Sequence, residues 1–124
     1  MNTALWIVAG VLAFVFVGSG VMKLVLPKEK LVAQGLGGLA DVDPNAIRGI
    51  GVAEVAGAIG LIVPPLVHIL PVLTPLAALG LAVVMVGAIV VHGRRKEYPN
   101  VAVNVVLLGL ALFVAWGRFG AYAF

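Results

Sequence analysis

From Val55 to Gly93 the chain carries no Asp, Glu, Lys or Arg, and from Met1 to Met22 it carries none either. Runs of that kind decide the class of fold before any motif is read. A helix needs about 20 consecutive apolar residues, at 1.5 Å rise each, to cross the roughly 30 Å of bilayer hydrocarbon. Charged residues make up 10% of the 124 residues, against about 25% in an ordinary soluble domain. Mean hydropathy is +1.20, so most of the folded surface must face lipid.

The run from Met1 to Met22 predicts a first helix over about 3–26. A secretory signal peptide is the rival reading, but the stretch before Trp6 has no Lys or Arg and no Ala-x-Ala site follows. Pro27, Lys28, Glu29 and Lys30 close this helix. The segment up to Ala46, with Gly35, Gly37, Gly38, Asp41 and Asp43, reads as a loop with one interfacial turn. Asp43 followed by Pro44 is a helix start: the carboxylate accepts from the first free amides, and proline suits the first turn. A second helix is expected over 44–63, because Pro64, Pro65, Pro71 and Pro75 must break an uncharged stretch far too long for one crossing. A third follows over 73–92 and a fourth over 100–116. The expected fold is an all-α, four-helix integral membrane bundle forming a single domain over 1–124.

Basic residues orient it. Lys23, Lys28, Lys30 and Arg48 flank the first connection, and Arg94, Arg95 and Lys96 occupy the third, leaving Arg118 as the one basic residue elsewhere. The positive-inside rule then places the first and third connections in the cytoplasm and both termini on the extracytoplasmic side. Trp6 and Trp116 fall at the outer interface and Tyr98 at the inner one, as an aromatic belt. A pI near 9.7 is accounted for by this topology, without a nucleic-acid partner.

Polar residues within the spans are costly and mark the place to look for function. Lys23, Glu54, His92 and Asn104 supply one per helix. Counted from the basic boundary they lie roughly 3 to 9 Å deep, in one layer. Around Glu54 the neighbours one turn away are Ile50, Gly51, Gly57 and Ala58, with Ala53-x-x-x-Gly57 and Ala56-x-x-x-Gly60 extending the small-residue stripe. Small residues let membrane helices approach, so Gly51, Gly57 and Gly60 are helix-packing positions and Glu54 points into the bundle. Lys23 is the basic residue that can reach it there.

Two readings of this layer stand side by side. A Lys23 to Glu54 pair aided by Asn104 can fix helix register, with Lys23 free to snorkel to the headgroups. Alternatively the layer is the polar floor of a small cavity that binds a quinone headgroup, a proton or a small polar ligand. His92 reads as an interfacial residue or as a member of that floor. His68 lies a membrane thickness away, so the two histidines cannot share a metal or a haem. With no cysteine, thiolate sites and dithiol relays are excluded, and no catalytic triad, phosphate loop or hydrolytic carboxylate pair is legible.

Gly20-Val21-Met22-Lys23-Leu24 and Gly51-Val52-Ala53-Glu54-Val55-Ala56-Gly57-Ala58-Ile59-Gly60-Leu61 resemble the DoxX-like family of small four-helix membrane proteins. Pro75-Leu76-Ala77-Ala78, Met85 to Ala88, His92, Asn100, Asn104 and Gly117-Arg118-Phe119 fit the same pattern, so the resemblance covers nearly the whole chain. It implies a multi-pass protein of the bacterial plasma membrane. The family takes its name from a subunit associated with quinone-linked sulfur oxidation. The resemblance therefore implies an accessory subunit, associating with itself or a larger membrane complex, or a stand-alone quinone- or lipid-binding protein. A minimal transporter is the weaker alternative, since helix pairs one-two and three-four show no symmetry.

Overall fold

The computed structural model describes residues 1–33, 42–120 and 122–124. Among these every regular element is a helix: α1 (Asn2–Val25), α2 (Lys28–Ala33), α3 (Pro44–Val67), α4 (Leu73–Arg94) and α5 (Tyr98–Phe119). The four long helices are each long and apolar enough to cross a bilayer. They form an up-down ring in which α1 packs on α3, α3 on α4, α4 on α5, and α5 returns to α1. Between 22% and 33% of the most apolar stretch of each span is buried, so the greater part of every long helix faces outward. The core between them holds Leu12, Phe16, Ala58, Leu61, Ala78, Leu81, Ala82, Met85, Ala111, Val114 and Ala115.

Lipid tails are as apolar as leucine, so close packing and polar contacts must hold such helices together. Glycine provides the close packing. A methyl group added at Gly20 would lie 2.7 Å from the Gly51 carbonyl oxygen, and one added at Gly51 would lie 2.8 Å from that of Gly20. The α1 and α3 backbones therefore touch. On the neighbouring seam Gly57 receives the Leu81 side chain and Gly60 receives Ala77, while Gly117 of α5 receives Leu5 of α1. The small-residue stripe is narrower than its spacing implies: Ala53 and Ala56 are exposed.

Several boundaries differ from the sequence expectation. The stretch from Lys28 is not all loop, because Lys28–Ala33 closes one and a half turns of helix whose Leu31 is fully buried against Ile47, with Met22, Leu26 and Val42 around them. Gly35, Gly37, Gly38 and Asp41 lie outside the described residues. Asp43 caps α3 through a 2.7 Å bond accepted from the Asn45 amide, with Pro44 in the first turn. At its other end α3 does not stop at Val63 but runs through Pro64 and Pro65 to Val67.

The reason lies on the next helix. Prolines at 64 and 65 have no amide to donate to the carbonyls of Gly60 and Leu61. The buried Thr74 hydroxyl lies 3.2 Å from the first of those oxygens and 3.3 Å from the second. One side chain of α4 thus serves the two acceptors that the prolines leave bare, which is how a membrane helix tolerates proline. The helix ends only at His68, in the left-handed region at φ 56, where the His68 and Ile69 amides both close on the Pro64 carbonyl.

At this same end, opposite the basic residues, Arg118 is 5% exposed. It donates to Asn2 Oδ1 at 2.7 Å and to the Tyr122 carbonyl at 2.8 Å, and its guanidinium lies 3.9 Å from the Phe124 ring centre and 5.7 Å from that of Trp6. The one basic residue outside the first and third connections is a buried clamp between α1, α5 and the segment after α5.

Thr74→Val keeps the shape of the side chain and removes the donor, so buried carbonyls lose their partner at a cost of about 1–3 kcal/mol. Thr74→Ser should retain most of the stability. Equilibrium unfolding in detergent micelles compares the two, and equal losses would show that the methyl group, not the hydroxyl, matters here.

Candidate functional site

At the basic end of the bundle α1 presents Lys23 one turn beyond Gly20, and α3 presents Glu54 one turn beyond Gly51. The two helices run antiparallel, so Lys23 lies one turn nearer the basic end than the glycine contact and Glu54 one turn farther from it. The close approach of the backbones lets the lysine side chain reach back along the seam to the carboxylate. Lys23 Nζ lies 2.6 Å from Glu54 Oε1, with the side chains 12% and 1% exposed. The ammonium also donates to Ser19 Oγ at 2.6 Å, one turn back on α1. Two of its three protons thus have acceptors among the described residues. Arg48, a further turn toward the start of α3, donates to the carbonyls of Lys23 and Leu26, the latter at 2.8 Å. It satisfies the end of α1 and pins that helix to α3.

His92 is buried near the end of α4, and its Nδ1 lies 3.0 Å from Glu97 Oε1. A carboxylate only accepts, so Nδ1 carries the proton and Nε2 is left for other contacts. Arg95 Nε lies 3.8 Å from the same Glu97 oxygen. Lys96, at φ 58, makes the tight turn that folds Glu97 back under His92. From α5 come the half-buried Asn100 and Asn104. The Asn104 Nδ2 is buried and makes no hydrogen bond to any described residue.

Lys23, Glu54, His92 and Asn104 all line one cavity of about 460 Å³, together with Ser19, Asn100 and an apolar upper wall that includes Phe16, Ile50, Met85, Ala88 and Leu107. That volume falls within the range of about 300–1,000 Å³ found for small-molecule sites, and an apolar wall with a few converging polar groups is their usual composition. His68 stands exposed at the far end of the bundle.

The profile of the DoxX-like family matches residues 7–114. The chain belongs to the DoxX-like family. No curated protein and no solved structure matches it. The matched span takes in every cavity-lining residue of this DoxX-like protein and leaves out Asn2, Arg118 and Phe124 of the clamp. Sequence reasoning missed three members of the polar set. Ser19 could have been found from its i−4 spacing to Lys23. Glu97 sits five residues after His92 across a turn, a spacing that becomes a contact only through the left-handed Lys96. Asn100 reads as a helix boundary and lies on the cavity wall.

The ion pair permits a double-mutant test. Lys23→Met leaves an uncompensated buried carboxylate and should destabilise the bundle by about 3–5 kcal/mol, whereas Lys23→Met combined with Glu54→Leu should recover most of that loss. Unfolding in micelles measures all four corners of the cycle. Additive losses would mean that the two side chains do not interact in the folded protein.

Proposed function

We propose that this DoxX-like protein binds a small, lipid-soluble molecule in the polar cavity at its basic end. The observation that carries the reading is the convergence of polar side chains from all four spans on one cavity. A pair that served only to fix register needs Lys23 and Glu54. It does not need His92 held by Glu97 on α4, nor Asn104 on α5 with a buried donor facing no partner. A quinone or a membrane lipid suits such a site, with its head on the polar floor and its tail along the apolar wall.

The distribution of Lys and Arg supports placing this end in the cytoplasm and both termini outside, in a bacterial plasma membrane. The large outward-facing share of each span supports association with a second copy or a larger membrane complex, in which the protein would serve as an accessory subunit holding its ligand for a partner.

Solvent extraction of protein purified from its native membrane, followed by mass spectrometry, should recover close to one small amphiphile per chain. Glu54→Gln, nearly isosteric, should lower that occupancy severalfold. Equal recovery from both proteins would remove Glu54 from the site, and recovery of bulk lipid alone from the native protein would end the binding reading.

The orientation has its own test, made simple by the absence of cysteine. In intact cells a membrane-impermeant maleimide should label Ile69→Cys and spare Lys96→Cys. The reverse pattern would invert the topology.

A further inference from the structure

Three of the four seams around the cavity are made by well-packed helix pairs, and the fourth, between α1 and α5, has the smallest interface. That seam is shut at the far end, where Leu5 fills the notch at Gly117 and Asn2 binds Arg118. It is slack toward the basic end. The buried residues of α5 are Ala111, Val114, Ala115, Gly117 and Arg118, with none on the α5 stretch before Ala111. Val103, which lines the cavity, is 58% exposed.

Two grooves on the outer surface share residues with the cavity. Val15 and Ser19 line both the cavity and a groove along the outside of α1. Val103 and Leu107 line both the cavity and a shallow groove on α5. The cavity and the two outer grooves thus share side-chain walls on α1 and on α5, the two helices that flank this seam.

The polar floor restricts what can enter. Lys23 and Glu54 neutralise one another at 2.6 Å, and Glu97 is met by His92 and Arg95. A ligand bringing a net charge would find no counter-charge left over among the described residues that line the cavity, and burying an unpaired charge is strongly unfavourable. Among the described residues the buried side-chain group that lacks a partner is a donor, Asn104 Nδ2, so the ligand must supply an acceptor.

Building on the binding reading above, we propose that the ligand enters sideways from the bilayer between α1 and α5. We further propose that it is a chain-bearing molecule whose uncharged, carbonyl-type head accepts a hydrogen bond from Asn104. The tail stays in the seam between Val15 and Val103, and the head rests beside the Lys23 to Glu54 pair.

Three photoreactive probes test this, each with the same diazirine-bearing decyl chain and with a neutral cyclohexane-1,4-dione, a phosphate or an ammonium head. They are photolysed with the protein in phosphatidylcholine nanodiscs, and adducts are mapped by peptide mass spectrometry. The dione probe should label Val15, Val103 and Leu107 at least tenfold above the lipid-facing Val83, and the charged probes should show no such enrichment. Asn104→Leu and Asn104→Asp should each cut the enrichment about tenfold, with circular dichroism reporting that both variants are folded. Val103→Trp should slow labelling of the deeper Ile50 and Met85 severalfold.

Preference for a charged probe, or indifference to both Asn104 variants, overturns the head-group assignment while leaving the cavity a binding site. Unchanged labelling of Ile50 and Met85 in Val103→Trp overturns the sideways entrance. Equal labelling of Val83 and the cavity by all three probes overturns this proposal and the binding reading together.

Discussion

A carboxylate held away from water is the most demanding group in this chain, and Glu54 is 1% exposed. In a bilayer its charge must be matched from within the protein, because the surrounding lipid offers neither counter-ion nor hydrogen bond. Lys23 supplies both, but its ammonium can sit at contact distance only if α1 and α3 approach closely. The approach depends on Gly20 and Gly51, where a β-carbon on either helix would collide with the other's carbonyl oxygen. Arg48 adds a second tie by binding the last carbonyls of α1. Charge pairing, glycine contact and helix-end satisfaction are thus one arrangement spread over two helices, and loss of any part loosens the others.

The same requirement governs the opposite end of the bundle, where the groups to be satisfied are backbone carbonyls. Pro64 and Pro65 free two acceptors on α3, and α4 answers with Thr74. There Arg118 ties α5 to α1 through Asn2 and meets the rings of Phe124 and Trp6. In each case a polar group on one helix is completed by the next helix, which substitutes for the hydrophobic drive that packs helices in water.

This division of labour explains what could be read from the sequence. The number and type of spans follow from local composition, because lipid selects for long apolar helices whatever their neighbours. Asp43-Pro44 likewise carries its own start signal. The inward orientation of Glu54 was legible because Gly51, Gly57 and Ala58 lie one turn away on the same helix. The continuation of α3 past its prolines was not legible, since the group that permits it lies on another helix and Thr74 carries no mark of that role. Nothing beside Arg118 in the sequence marks its burial, which depends on Asn2 of α1 and on Tyr122 and Phe124 after α5. Glu97 needed the φ of Lys96 before its distance to His92 could be known. Signals confined to one helix survive in the sequence. Of the partnerships between helices, the Lys23 to Glu54 pair was legible because a buried carboxylate demands one of very few cations, and those of Thr74 and Arg118 were not.

The uneven placement of these partnerships also shapes the cavity. The α1 and α3 pair is locked at the basic end by Gly20, Gly51 and the ion pair, and α4 is joined to α5 there by a turn too short to let them separate. The α1 and α5 pair, which has the smallest interface of the four, is locked at the far end by Leu5, Gly117 and Arg118. Toward the other end the α5 stretch before Ala111 contributes no buried residue among those described, so this seam is weakly packed there. The cavity falls at the depth where Lys23, Glu54, His92 and Asn104 project inward. A bundle selected for stability alone would be expected to fill this volume with leucine, since well-packed apolar side chains can replace a buried ion pair with no loss of stability. Polar groups here surround a part of the interior that is not filled, and the Arg118 clamp acts from the end farthest from it.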